Sequence, residues 1–346
     1  MKRQNLLKLI VVITVLAIAI PLSGGCARAP ALPGPAAEPE VITLRFQTTC
    51  MPAQYMAYQR PWLDRIEAAS NGRVKIEGFT SCELVPDDQL LPALQDGTVD
   101  ISWTTGPCVA VPIDLAPLEG YIPFGWENAM EAKVLYEDEG LKDLFFEAWE
   151  EIDGIKMLGM QTGDPSQLLT SRPVETFEDL AGLKLVGFEN VANILDDAGA
   201  TSIMIPPEEF YLAGQTGVID GIGGWCGAQE GHDNGWYEVF PYILEQPFGG
   251  GWIMWTIFCE DTWNSLPEDI QDIFILSMGD LANATMTFYY GGQETYLQYY
   301  TVTTFSDEDW ARLEDIAMKT WDEWAEISPR CNQVIQILKE HQESKR

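Results

Sequence analysis

Apolar and polar positions alternate through VITLRFQTTC (41–50), a period of two that predicts a first strand ending in a polar turn. Tyr58, Trp62, Leu63, Ile66 and Ala69 then recur at helical spacing, and Asn71-Gly72 supplies the glycine that closes such a helix. RVKIEGF (73–79) predicts a second strand, 86–95 a short helix closed by Gly97, and VDISW (99–103) a third strand. Strand, helix, strand, helix, strand is the order of a parallel α/β unit.

The same order returns downstream. Thr176-x-x-Asp179 is a capping box, LKLVGF (183–188) a strand, and 190–198 a helix stopped by Gly199. TSIMI (201–205) is a strand, 206–213 a short helix stopped by Gly217, and VIDGI (218–222) a strand. LQDGTVDISW (94–103) and QTGVIDGIGGW (215–225) align Gln95, Gly97 and Asp100 with Gln215, Gly217 and Asp220. Gly-x-x-Asp alone is short enough to arise by chance; four matching elements in one order argue for two similar lobes. Ligands of open α/β sheets sit beyond the carboxyl ends of the strands. Two facing lobes therefore predict one cleft, lined by 48–50, 81–82 and 103–107 on one side and by 188–190 and 223–228 on the other. KMLGMQ (156–161) and GWIMWTIF (251–258) are apolar strands suited to cross between lobes. Beyond them, 265–268 opens a long helix towards Tyr300 with Gly291-Gly292 as its weak point. Ser306-x-x-Asp309 opens an amphipathic helix, and Pro329 interrupts before a last helix over 332–340.

Composition narrows the setting. The chain has 346 residues, 46% of them hydrophobic, enough for a full core and for two domains. Lys2, Arg3 and Lys8 precede the apolar run 9–22, which ends in SGGC. This is the layout of a secretory signal peptide, and the run is short for a membrane span. Gly24-Gly25-Cys26 resembles a bacterial lipobox, so 1–26 is expected to be a signal with Cys26 taking a lipid. ARAPALPGPAAEPE (27–40) then reads as an extended tether. The expected location is outside the cytoplasm, membrane-anchored, facing the periplasm or the cell exterior. Loss of the signal leaves 17 basic against 53 acidic residues, net −36, which disfavours nucleic acid and anionic lipid as partners. Six cysteines remain besides Cys26. Cys50 and Cys82 follow the ends of neighbouring predicted strands, so a disulfide between them is expected. Cys108 and Cys226 face one cleft from opposite lobes and are expected free. No CxxC is present and there are only two histidines, His232 and His341, which argues against a zinc site.

ETFEDLAGLKL (175–185), GATSIMIPPEEFY (199–211), GVIDG (217–221) and SLPEDIQDIF (265–274) resemble the solute-binding proteins of TRAP transporters, the DctP family, over nearly all of 41–346. Trp225-x-Gly227 with Gly235-Trp236-Tyr237, and EWAEISPRCNQVIQILKEHQE near the C-terminus, resemble the subgroup that includes its 2-oxo-acid-binding members. The resemblance implies an α/β, two-lobed, periplasmic-binding-protein-like fold with hinge strands. One lobe is expected from 41–160 and 255–300, the other from 161–254. Residues 301–346 are expected as C-terminal helices that pack on the lobes or on the partner of a homodimer. It also implies capture of a small organic solute between the lobes, delivery to the small and large membrane subunits of a TRAP permease, no catalysis and no cofactor.

The family's binding residues transfer only in part. Most members grip a substrate carboxylate with an arginine in the strand after Gly-Leu-Lys; that position is Val186. The subgroup's metal-holding glutamate before the cleft tryptophan is matched by Gly223-Gly224, and its second acid by Gly249. Trp225 and Gln167 match the tryptophan and a contributing glutamine. Burying a carboxylate without a cation costs on the order of several kcal/mol. The ligand is therefore expected not to be a simple carboxylate but a neutral, or even cationic, solute. A neutral, partly apolar molecule is favoured, stacked on Trp225 and Trp103 and hydrogen-bonded by Gln167, Asn190 and backbone N–H groups. Glu189 and Thr104 complete the expected binding set, and no metal is expected. The competing reading is that Arg172 or Arg45 replaces Val186. An exported lipoprotein enzyme using the same cleft is a second class, for which Cys226 and His232 lack an orienting third group. A ligand sensor for a membrane receptor is a third.

Overall fold

The computed structural model describes residues 41–345, so Cys26, the leader and the tether lie outside the described residues. In chain order the strands are β1 (Ile42–Thr48), β2 (Val74–Phe79), β3 (Ile101–Thr104), β4 (Ile155–Thr162), β5 (Leu168–Thr170) and β6 (Lys184–Val186). They continue with β7 (Thr201–Ile203), β8 (Gly221–Gly223), β9 (Tyr242–Leu244), β10 (Ile253–Cys259) and β11 (Thr301–Thr303). They form two sheets, ordered β2-β1-β3-β10-β4 and β11-β9-β5-β8-β6-β7. In the first, β1 is parallel to β2 and β3, and β10 is antiparallel to β3. In the second, β6 is parallel to β7 and β8, and β5 is antiparallel to β8. The duplication expected from the sequence is thus present strand for strand.

The repeated Gly-x-x-Asp has a structural cause. Gly97 and Gly217 both take left-handed backbone (φ +75° and +71°), which a residue with a Cβ adopts only under strain. Three residues on, the Asp100 carboxylate accepts the Arg45 backbone N–H (2.7 Å), and the Asp220 carboxylate accepts that of Lys184 (2.9 Å). The basic side chains reach back: Arg45 donates to the Gly97 carbonyl and Lys184 to the Gly217 carbonyl. Each lobe therefore pins its central strand to the third strand with the same four groups.

The lobes are joined where β4 and β10, antiparallel neighbours, run out of the first sheet. Gly163 N–H donates to the Trp252 carbonyl (2.6 Å) and Ser166 N–H to Gly249 (2.9 Å), which carries the pairing towards the second sheet. The helices used below are α1 (Arg60–Ala69), α2 (Leu141–Glu150), α3 (Glu189–Asp197), α4 (Ala228–Asp233), α5 (Glu268–Leu297), α6 (Asp307–Ala325) and α7 (Pro329–Lys345). α5 lies against β4 and α1 of the first lobe and α4 of the second. It runs unbroken through Gly291-Gly292, because packing on both lobes overrides the weak local propensity.

Other boundaries differ from expectation. Residues 301–303, expected to open the C-terminal helices, instead form β11, parallel to β9 at the edge of the second sheet. Pro329 is the first residue of α7, since a proline lacks only an N–H that has no partner there anyway. The box at Thr176 and Asp179 caps a single turn, Phe177–Leu180. α6 packs on α3 and α7 on α2, so the C-terminal helices lie on this chain's own lobes. The Trp321 indole seals the contact by donating to the Pro123 carbonyl (3.0 Å). No described helix is long and apolar enough to cross a membrane.

Candidate ligand cleft

Cys50 and 105–108, which the sequence assigns to one side of the cleft, follow the ends of β1 and β3. On the side assigned to the second lobe, 223–230 and 164–167 are tied together by the bonds from Gln167 N–H to the Cys226 carbonyl and from Gly224 N–H to the Gln167 carbonyl (3.0 Å each). Trp225 is half-buried, as a platform requires, but one of its faces is covered: Phe188 stacks on it at 4.1 Å, and Phe210 meets it edge-on at 5.2 Å. Gln167 and Asn190 are 5% and 6% exposed. Gln167 Nε2 donates to the carbonyls of Leu244 and Glu245 (3.1 Å each), and Asn190 Nδ2 to that of Tyr121 (2.6 Å). Their side-chain oxygens, Oε1 and Oδ1, have no partner among the described residues. Glu189 is the first residue of α3.

Trp103 and Thr104, expected at the cleft face, are closed into the first lobe. Trp103 is 1% exposed and packs edge-on against Tyr58, and Thr104 is fully buried. They fill the core because both faces of β3 are covered, leaving the residues after the strand to meet the cleft. The expected Cys50–Cys82 disulfide is absent here, and both are separate thiols. Cys50 Sγ turns inward to 3.7 Å from the Tyr58 hydroxyl, whereas Cys82 is exposed beside Ser81. Val186 is fully buried in the second lobe's own apolar cluster with Leu169, Phe210 and Ile222. Neither proposed substitute serves in its place: Arg45 pairs with Asp100 (3.1 Å), and Arg172 donates to the Asp179 carbonyl (3.1 Å).

Tyr121 gives a steric reason for glycine at 224 and 249, positions that the resemblance assigns to metal-holding acids. A Cβ on Gly249 would lie 2.4 Å from the Tyr121 ring, and one on Gly224 would lie 2.4 Å from its hydroxyl. The hydroxyl donates to the Gly224 carbonyl (2.8 Å) and accepts from Ser166 Oγ (2.6 Å). The ring thus occupies both positions from the middle. Among the described residues no group of three or more His, Cys, Asp or Glu is placed to hold a metal ion.

Two acids that sequence reasoning passed over stand on the second lobe's wall. Asp164, 2% exposed, accepts from Gly227 N–H (2.7 Å) and Gln293 Nε2 (3.2 Å). Glu230, half-buried on α4, has no hydrogen-bond or ion-pair partner for its carboxylate among the described residues. Burial above all, then the charges of Asp164 and Asp233, holds Glu230 well above the usual carboxylate range. Burial raises Asp164 as well, against the Gly227 and Glu230 N–H groups. Glu230 also contributes, after burial, to raising Cys50, Tyr58, Cys108 and Tyr289, so its carboxylate lies within electrostatic reach of these groups.

Residues 53–327 match the family model described as DctP, bacterial extracellular solute-binding protein, family 7. The chain belongs to this family. Its two-lobed fold is that of TRAP periplasmic solute-binding proteins. One such protein from Chromohalobacter salexigens, with bound (S)-(+)-2-amino-1-propanol, superposes with a TM-score of 0.82 at 28% identity, covering 88% of this chain and 96% of that one. Another, from Pseudoalteromonas atlantica with bound sodium and pyruvate, gives 0.76 at 19% identity, covering 88% and 95%, and speaks for the fold alone. A monocarboxylate 2-oxoacid-binding periplasmic protein of Nostoc sp. is 26% identical over 226 residues; the match spans 64% of this chain and 60% of that relative's length.

The remaining chemistry of this DctP-family chain is quiet. Burial, then Glu230 and Asp164, holds the Cys226 thiol well above its ordinary value, so it stays protonated. His232 is packed against Tyr237, Tyr296 and Tyr299. A cavity of about 600 Å³ lies elsewhere, behind the C-terminal helices, lined by Phe124, Trp126, Trp310 and Lys345. Two of its three acids are paired, Glu127 with Lys345 and Glu131 with Lys345 and His341. Among the described residues Asp164 and Glu230 have no ion-pair partner.

Proposed function

We propose that this chain is an extracytoplasmic receptor that captures a small organic solute between its lobes and delivers it to the membrane subunits of a TRAP-type permease. The observation that carries the reading is the mirrored pair of βα units whose strand ends meet at one cleft, within a chain of the DctP family. The role proposed is binding rather than catalysis, which the protonated, buried Cys226 thiol supports. Residues 1–26 are read as an export signal with Cys26 lipidated; the mass of the mature N-terminal peptide from the native host tests this.

The ligand is proposed not to be a simple carboxylate. A buried valine at 186 and two acids give a carboxylate ligand no cation to pair with on this wall. The Chromohalobacter neighbour's ligand, a small amine lacking a carboxylate, supports the same reading. In thermal-shift assays pyruvate and simple dicarboxylates are expected to leave the melting temperature unchanged. Stabilisation by either overturns the statement about the ligand. Failure of the lobes to close on any solute, read as an unchanged radius of gyration in X-ray scattering, overturns the receptor itself.

A further inference from the structure

We propose that Asp164 and Glu230 form an ammonium-binding end of the cleft, and that the captured solute is a small organic cation carrying an amine. The inference rests on the receptor reading above and adds its substrate class and two specificity-determining side chains.

Three observations converge. First, both acids belong to the second lobe's wall, and neither makes an ion pair among the described residues, whereas Glu127 and Glu131 of the other cavity share Lys345. A carboxylate held in a poorly hydrated site without a counter-charge is unfavourable until a cation arrives. Second, that wall has acceptors to spare. Gln167 Oε1 and Asn190 Oδ1 are unpartnered in side chains more than nine-tenths buried. Their amide orientations are forced, because each nitrogen already faces a backbone carbonyl. Gln167 belongs to the same wall as the acids: its N–H donates to the Cys226 carbonyl, its carbonyl accepts from Gly224 N–H, and Asp164 accepts from Gly227 N–H. Asn190 donates to the Tyr121 backbone carbonyl, and the hydroxyl at the far end of the same residue donates to the Gly224 carbonyl. Third, the two basic residues weighed as substitutes for an arginine at 186 are tied elsewhere: Arg45 to Asp100 and Arg172 to the Asp179 carbonyl. A carboxylate ligand would add acceptors to a wall of acceptors. An alcohol brings one donor and no charge. A primary ammonium brings up to three donors and the missing positive charge, and the half-buried Trp225 beside them suits its apolar part.

The test uses the full mature chain. Calorimetry and thermal shift compare short-chain primary amines, the matching alcohols, the matching carboxylates and calcium chloride. Amines alone are expected to bind. Glu230→Gln and Asp164→Asn are each expected to weaken the amine by about thirtyfold or more. The empty Glu230→Gln protein is expected to melt higher than wild type at alkaline pH, which separates lost binding from lost folding. Glu314→Gln, in the remote cavity, leaves binding unchanged. Preference for alcohols, carboxylates or calcium ions overturns the assignment, as does wild-type amine affinity in both acid variants. If no probe binds, native mass spectrometry of protein from its own host decides. A co-purified solute bearing an amine supports the proposal, and a neutral or acidic one overturns it while leaving the receptor. A chain with no bound solute by either method overturns the receptor reading and this assignment with it.

Discussion

The ring of Tyr121 lies against Gly249 and Gly224, and it does so while its hydroxyl both donates and accepts a hydrogen bond. Restoring family residues one at a time is therefore expected to damage this chain rather than convert it. Val186→Arg places a guanidinium among Leu169, Phe210 and Ile222, where nothing pairs with it. Its expected cost is about 3–5 kcal/mol, with no gain of carboxylate binding; a denaturant melt and pyruvate calorimetry check both. Glu119 is a second buried acid with a different role. It accepts indole N–H bonds from Trp149 (2.5 Å) and Trp255 (2.9 Å) and the Gly106 backbone N–H (3.3 Å), beneath the turn that carries Cys108. Burial pushes it up to about 7, with the indole bonds opposing. The folded chain thus holds this proton more tightly than the unfolded one. The resulting stability is complete below the ordinary pKa and is lost as pH rises through about 7, a change of about 3 kcal/mol. In Glu119→Gln the fall in stability from pH ~5 to pH ~8 is expected to flatten by that amount relative to wild type in paired urea titrations.

α5 is the element that ties both lobes together, and its glycines separate propensity from packing. A Cβ at Gly279 or Gly291 meets nothing within 4 Å, so alanine there is expected to stabilise the chain by about 1 kcal/mol. A Cβ at Gly292 would come to 2.3 Å from Gln229 Oε1 on α4. Gly292→Ala is expected to push α4, and with it Glu230, out of place, and so to weaken ligand binding. Thermal melts of the three variants, with solute binding measured beside them, check the contrast. The βαβ units show the other side of this balance. Their strands, glycine stops and Asp locks were legible from local pattern because each is made within one unit. β11 was not, because Thr301–Thr303 becomes a strand only by finding β9 some sixty residues earlier in the chain.

Net charge acts on the molecule as a whole. At −33 the surface field attracts cations over roughly a Debye length, ~10 Å in 0.1 M salt. If the solute is an ammonium, its association rate in stopped flow is expected to fall as salt rises, with a smaller change in dissociation. A rate independent of salt removes any steering role for the charge. The acidity that names no ligand locally thus still shapes how fast a cation finds the cleft.

The chain by itself determined its two α/β lobes, the duplicated Gly-x-x-Asp locks and the apolar residue at 186, since periodicity, glycine stops and a side chain's chemistry are all local facts. It could not mark the acids of the cleft. Asp164 and Glu230 are two among 53 acidic residues, 66 positions apart, and nothing in their neighbours sets them aside. Tertiary structure made them distinct by withdrawing both from water and giving neither a counter-charge. It also moved Trp103 and Thr104 from the expected cleft face into the core and placed Tyr121 against Gly249 and Gly224. Burial and the identity of a spatial neighbour are properties of the packed chain, and no local pattern carries them.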